Sequence, residues 1–366
     1  MSECCGPGQP CCGGVPAAVY DYGPTPYTVG QVDTFAGPVP QVATQLSPAD
    51  ARGAVRVRMG IARNDFRVRP GLYAVGRPDD SSQVLVTANY KLSFDTVRSQ
   101  LDGRDLWLLV LDTNGINVWC AAGKGTFSTS EIVDRVRDVR LEQVVSHTRL
   151  VVPQLGATGV AAHEVRAATG FSVVWGPVRA DDLPAFLDAG MKATSQMRRV
   201  EFPLRERAKL VGVELSVLWR RRTLVVAAVL LLILAATWKL APALVAPLLT
   251  TILVAVLAAV AGAAVAPLLL PWLPGRAFSL KGAVAGLLVI TPAYYFVFGV
   301  GSVPLWGWGL LAIGVAATSY LAMNFTGSST YTSPSGVEWE MRRAIPLQAL
   351  GAVAGVALAI FALVRG

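Results

Sequence analysis

The chain has 366 residues, 53% hydrophobic and only 15% charged, and its mean hydropathy of +0.49 is too high for a wholly soluble protein, so part of it is expected in lipid. Its formal charge of +8 invites a polyanionic partner, but residues from Thr223 onward carry six basic and two acidic groups, and Arg220, Arg221 and Arg222 supply most of the remaining +4. What is left is close to neutral, which removes the electrostatic basis for binding nucleic acid.

Residues 1–48 are rich in Gly, Pro and small polar residues without periodicity, and they are expected to form a flexible tail. No charged start followed by an apolar run marks a secretory signal. Four of the five cysteines, Cys4, Cys5, Cys11 and Cys12, stand in this segment. Adjacent thiols on a Gly/Pro-rich stretch are good ligands for soft metals, while their paired spacing does not match the usual iron-sulfur clusters. An oxidation-prone terminus with no metal role is the plain alternative.

Residues 49–205 alternate short β-rich runs with amphipathic helices. Strands are expected over 55–59, 71–75, 83–87, 106–112, 149–152 and 172–175, with helices over 93–101, 129–139, 159–169 and 181–189. This alternation predicts an α/β, Rossmann-like parallel sheet. Ser128 followed by Glu131 supplies a capping box for the second helix. Several segments after strands carry polar or glycine residues suited to ligand contact, namely 87–89, 117–124, 154–159 and 176–179, and a parallel sheet brings them to one edge. Each alone would more often be an ordinary loop.

One of these segments stands out. The apolar run Leu106-Trp107-Leu108-Leu109-Val110-Leu111 passes through the turn Asp112-Thr113-Asn114-Gly115 into Asn117-Val118-Trp119-Cys120-Ala121-Ala122-Gly123-Lys124. Asn117 can cap a short helix with Cys120 in its first turn, where backbone N–H groups favour a thiolate. Cys120 is then a metal ligand or a nucleophile. Ala121, Ala122 and Gly123 leave little side-chain bulk, so a large flat object could lie against the helix with Trp119 as an apolar wall. A small buried cysteine in a strand-turn-helix unit is the competing reading. A phosphate-binding P-loop is disfavoured by Val118 and Gly125, which stand where that motif needs Gly and a hydroxyl residue.

Residues 206–222 form a basic linker, and residues 223–366 a membrane domain. Five spans are expected at about 219–238, 243–270, 280–299, 303–323 and 345–364, each near the roughly twenty residues needed to cross a bilayer. The Arg220–222 triplet, Arg276 with Lys281, and Arg342 with Arg343 flank alternate ends, so the positive-inside rule places all three groups and the α/β domain in the cytoplasm and the C-terminus outside. Lys239 dissents, but can snorkel. The span interiors lack the ionisable groups of transporters and pumps. The loop 324–344, with Thr326, Gly327, Ser328, Thr330, Tyr331, Ser335 and Gly336, is more polar than an anchor needs and is read either as a surface facing the site or as a simple connector.

The segment NVWCAAGK resembles the cap-helix signature of the mercury-methylating corrinoid protein family (HgcA), relatives of the corrinoid iron-sulfur protein of the acetyl-CoA pathway. The resemblance extends through Val84-Leu85-Val86-Thr87-Ala88-Asn89-Tyr90, Val152-Pro153-Gln154-Leu155-Gly156-Ala157 and Trp175-Gly176-Pro177-Val178 to Asn324-Phe325-Thr326-Gly327-Ser328, from about Ala54 to the C-terminus. It implies an α/β corrinoid-binding domain followed by a five-helix α-helical transmembrane domain. It also implies a cobalamin-type corrinoid whose cobalt takes the Cys120 thiolate as its lower axial ligand. Thr87, Asn89, Asn117 to Lys124, Gln154, Gly156 and Gly159 are then the candidate cofactor contacts. Neither His147 nor His163 stands in the Asp-x-His-x-x-Gly pattern that gives cobalt an imidazole in many cobalamin enzymes. The implied activity is methyl transfer from a folate-linked donor, through cobalt, to inorganic Hg(II). A ferredoxin-like partner with two [4Fe-4S] clusters would supply electrons, and the N-terminal cysteines would be candidates for capturing Hg(II). The family's acetyl-CoA pathway relatives carry an iron-sulfur cluster near their N-terminus, and the paired cysteine spacing of this chain departs from theirs there. A methyl carrier with another acceptor, and a non-enzymatic membrane sensor, are the alternatives.

Overall fold

The computed structural model describes residues 25–325 and 334–365. Cys4, Cys5, Cys11, Cys12 and the segment Thr326 to Tyr331 lie outside the described residues. The chain divides into two compact units: Asn64–Arg199 with the described residues up to Gly53, and Ala54–Arg63 with Val200 onward.

The first unit is built on seven strands: β1 (Thr28–Thr34), β2 (Gly37–Val42), β3 (Gly71–Val75), β4 (Val84–Ala88), β5 (Leu106–Leu111), β6 (Arg149–Val152) and β7 (Ser172–Trp175), in the order β1-β2-β3-β5-β4-β6-β7. The last four run parallel to their neighbours, but β3 is antiparallel to β5 and β1 to β2. The sheet is therefore mixed rather than parallel throughout. Alternation along the strands makes two cores. Leu72, Trp107, Leu109 and Val86 face one side with residues of α3 (Val118–Lys124), α4 (Thr129–Asp138) and α5 (Ala162–Thr169). Tyr73, Leu108, Val110 and Leu85 face the other, with residues of α2 (Lys91–Arg98) and α6 (Leu183–Asp188). A strand buried on both faces needs apolar residues at every position, which β5 supplies.

Two expectations are corrected here. The hairpin β1–β2 lies inside the segment expected to be a flexible tail. Its prolines, Pro38 and Pro40, can give no ladder N–H, and the pairing of β2 with β3 is confined to Gln41 and Val42. The expected strand 55–59 falls instead at the end of helix α1 (Pro48–Arg58). The alternation of Val55 and Val57 suggested a strand, but Ser47 and Asp50 form a reciprocal cap: the Ser47 N–H and hydroxyl donate to Asp50 Oδ2 at 3.0 and 2.8 Å, and the Asp50 N–H donates back at 3.2 Å.

In the second unit, α7 (Leu204–Leu215) leads to α8 (Arg221–Leu240) and α9 (Val245–Val260), which passes through a π-helical turn at Ala261–Val265 into α10 (Ala266–Leu268). Then come α11 (Phe278–Phe298), α12 (Leu305–Asn324) and α13 (Pro334–Arg365). Among the described residues, five stretches are long and apolar enough to cross a membrane: Arg221–Leu240, Pro242–Leu268, Phe278–Phe298, Leu305–Asn324 and Gly336–Arg365. Small residues let these helices touch. A Cβ on Gly309 would lie 2.5 Å from the Gly355 carbonyl, and one on Gly282 would lie 2.9 Å from the Ser319 Cα. The latter part of the expected loop 324–344 is helical. The Glu338–Arg342 pair at 2.5 Å and Arg343 over the Trp339 ring at 3.9 Å support its exposed first turns.

Candidate functional site

Because β4, β5, β6 and β7 are parallel, the segments that follow them leave at one edge. The chain steps from β4 to β5 on one side and then returns across β4 to β6 on the other. Connections that diverge in this way open a crevice at the carboxyl ends of the strands.

Cys120 lies on α3, the first helix after β5. The Asn117 side chain caps this helix by accepting the Cys120 N–H at 2.9 Å, and Gly125 ends it in the left-handed conformation at φ 76°. At about 100° per residue, Ala121 and Ala122 bracket the side that enters the core, and Cys120 falls on the opposite side between Gly123 and Lys124. Cys120 is half-buried, whereas Gly123 and Lys124 are exposed. A Cβ on Gly123 would meet nothing within 4 Å, so the helix face beside the cysteine is open. Val118 packs toward the core and Trp119 is half-buried beside the open face.

The remaining candidate residues occupy other places. Thr87 is buried near the end of β4. Asn89 is also buried, with its carboxamide bonded beneath the turn that leads to α3. Gln154 accepts a hydrogen bond from Arg198 at 2.6 Å. The smallness of Gly156 and Gly159 serves packing. Added Cβ atoms would lie 2.5 Å from the Phe127 ring and 2.2 Å from the Phe127 carbonyl, and Gly159 also approaches Ala122. Ala122 and Gly159 thus let the segment after β6 close against α3. The Gly159 carbonyl accepts the Thr129 N–H at 3.2 Å, joining that segment to α4 as well.

Ser128 caps α4 by accepting the Glu131 N–H at 3.3 Å, but the Glu131 carboxylate turns away, to the Asp112 N–H at 2.7 Å and to Arg135 at 2.9 Å. The expected capping box is half formed, and its other half fastens α4 to the end of β5. This role of Asp112 went unseen at the sequence level, although Asp-x-Asn before Gly is an Asx-turn signal. Asp112 Oδ1 accepts the Asn114 N–H at 3.0 Å, with Asn114 and Gly115 at φ 56° and 70°.

Of the two histidines, His147 is held by the chain itself. His147 Nδ1 accepts the Arg149 N–H at 3.2 Å, so Nε2 carries the proton and donates to the Ser82 carbonyl at 2.9 Å. His163 is 86% exposed on α5. Among the described residues no three His, Cys, Asp or Glu side chains gather to hold a metal ion.

Cys120 thus faces outward on the first helix after β5 in the α/β unit, and residues 60–187 match the family of the CO dehydrogenase/acetyl-CoA synthase delta subunit. The same region is similar to the acetyl-CoA decarbonylase/synthase complex subunit gamma of Methanopyrus kandleri, 36% identical over 128 residues, and of Archaeoglobus fulgidus, 32% identical over 128 residues; each alignment covers 34% of this chain and 27% of the relative. It is also 30% identical over 128 residues to the corrinoid/iron-sulfur protein large subunit of Moorella thermoacetica, covering 34% of this chain and 28% of that protein. The α/β segment is related to these acetyl-CoA decarbonylase/synthase subunits and to this corrinoid/iron-sulfur protein. The chain spans about a quarter of the length of these relatives, and the match stops short of the apolar helices.

Proposed function

We propose that the protein is a membrane-anchored, corrinoid-dependent methyltransferase that delivers a methyl group to inorganic Hg(II), forming methylmercury. The observation that carries this reading is Cys120, turned away from the core onto an open helix face within the segment related to corrinoid proteins. When bound, the corrinoid supplies a cobalt centre able to take up and release a methyl group, with the ring providing the ligands that the protein does not.

The chain's own part is to hold that centre. Cys120 would offer the cobalt a soft, electron-rich sulfur in place of the imidazole that many corrinoid enzymes use. Asn117 fixes the start of the helix, and Gly123 leaves room for a flat ring beside the sulfur. Trp119 and Lys124 border the same face. Hg(II) is the substrate, and the N-terminal cysteines are candidates for delivering it. A folate-linked methyl donor and a ferredoxin-like reductant with two [4Fe-4S] clusters complete the proposed cycle. The five apolar helices anchor the protein in the cytoplasmic membrane. Arg220–222, Arg276 with Lys281, and Arg342 with Arg343 support a cytoplasmic α/β unit and an external C-terminus.

A methyl carrier serving another acceptor is the second reading, favoured by the names of the matched relatives. Full-length protein purified in detergent with corrinoid, under strongly reducing conditions, tests both. We expect the wild-type corrinoid spectrum to change in Cys120→Ala, and methyl transfer to Hg(II) to be lost with it. An unchanged spectrum and full activity in the variant would overturn the ligand assignment. Corrinoid binding without transfer to Hg(II) would favour the second reading.

A further inference from the structure

Asn89 is only 2% exposed, and its carboxamide is committed to the chain itself. Oδ1 accepts the N–H groups of Thr113 and Gly115 at 3.1 and 2.9 Å and faces the Thr113 hydroxyl at 2.9 Å, while Nδ2 donates to Asp112 Oδ1 at 2.9 Å. Two backbone donors on one atom settle which end is the oxygen. The same Thr113 hydroxyl lies 2.6 Å from the Ile116 carbonyl, one residue before the Asn117 cap. Asn89 thus holds the backbone of the 112–116 turn from the end of β4, and the peptide bond after Ile116 carries that hold to the Asn117 cap on the N–H of Cys120.

We propose that Asn89 and Asp112 are positioning residues: a directional amide-carboxylate pair that holds the turn after β5 and thereby sets the height and direction of the Cys120 sulfur. This rests on the corrinoid reading of the site and gives a role to a residue otherwise expected to touch the cofactor. The turn needs such a clamp. It carries two consecutive left-handed residues, and without Asn89 the Thr113 and Gly115 N–H groups would be left without partners in a buried place.

The pair has a direction, and that makes it testable. Asn89→Asp keeps the shape and the acceptor for the turn but sets two carboxylates against each other. The double variant Asn89→Asp/Asp112→Asn restores a donor facing an acceptor, at the expense of the exposed Asn114 N–H bond. The test uses full-length protein in detergent. Corrinoid affinity and spectrum are measured by titration, and Cys120 alkylation by iodoacetamide is followed without cofactor by peptide mass spectrometry.

Asn89→Asp is expected to weaken corrinoid binding about tenfold or more, the usual effect of removing a group that orients a metal ligand. Its spectrum should move toward that of Cys120→Ala, its Cys120 alkylation rate should change, and the double variant should recover both. Asp112→Ala, altered on the exposed side of the pair, should give the same sign of effect should Asn89→Asp fail to fold. Wild-type affinity, spectrum and alkylation rate in both single variants, or a double variant no better than Asn89→Asp, would overturn the inference. If the wild-type protein bound no corrinoid, the proposed function would fail, and the alkylation rates alone would decide the role of the pair.

Discussion

Asp50, Lys91, Asp95 and Arg98 form a closed square of alternating charge. Lys91 Nζ lies 2.5 and 2.6 Å from the two carboxylates, and Arg98 reaches them at 2.9 and 2.8 Å. Arg98 is fully buried and also donates to the Ala43 and Gln45 carbonyls, so the square ties the chain before α1 to α2. Asp50→Asn would leave two cations facing one carboxylate inside this site. Removing one partner of a buried ion pair costs about 3–5 kcal/mol, whereas exposed pairs contribute at most about 1 kcal/mol. Native-state amide exchange of β4 and β5 in the full-length protein reads that loss as exchange faster by roughly two to three and a half decades, at about 1.4 kcal/mol per decade. A loss below about 1 kcal/mol would refute the view that these charges act as a buried unit. The pH dependence has a definite sign. Burial alone would raise the Asp50 carboxyl, but hydrogen bonds from Lys91 and Ser47 outweigh it and hold the group well below the usual carboxylate range. A depressed native value contributes stability above the unfolded value of about 4, and that contribution is lost as the pH falls below it. Wild-type exchange should therefore accelerate between about pH 4 and pH 2 more than exchange in Asp50→Asn.

Two further predictions separate packing from ligand contact. Gly159→Ala would drive a methyl group into the Phe127 carbonyl and should destabilise the first unit by about 1–3 kcal/mol, read by the same exchange measurement. Gly123→Ala meets open space and replaces a helical glycine, so stability should hold or rise by up to about 1 kcal/mol while corrinoid affinity falls; equal effects of the two substitutions on affinity would contradict the assignment of the open face. His163→Ala and His147→Ala should leave the spectrum of bound corrinoid unchanged, and a change in either would place an imidazole on the metal in place of the Cys120 sulfur.

The parallel half of the sheet was legible because β4, β5 and β6 are short apolar runs closed by turn residues, which few other elements resemble. The hairpin was not, since its order comes from distant contacts. Ala36 and Val39 enter one core and Val42 the other, which no local window of Gly, Pro and Thr reveals. The start of α1 was written in Ser47 and Asp50, yet the alternating valines after them were the louder signal. The five apolar stretches were readable from length and hydropathy, and the helical start of α13 was hidden because its support comes from i,i+4 charge pairing rather than apolar periodicity.

The motif around Cys120 shows where local reading stops. Asn117 as a cap could be inferred from residue type and spacing, and its Oδ1 does accept the Cys120 N–H. The small residues after it were read as one surface, but a helix divides them. Ala121 and Ala122 turn inward, where their size lets α3 lie close against the segment after β6, and Gly123 turns outward beside the sulfur. Helical periodicity alone puts the cysteine opposite the two alanines; only the sheet says which of those sides is buried. Had the sheet covered the other side, the same eight residues would have hidden the thiol and shown two methyl groups to solvent. The chemistry proposed here therefore depends less on the motif's composition than on the register with which β5 and the Asn89-braced turn deliver it.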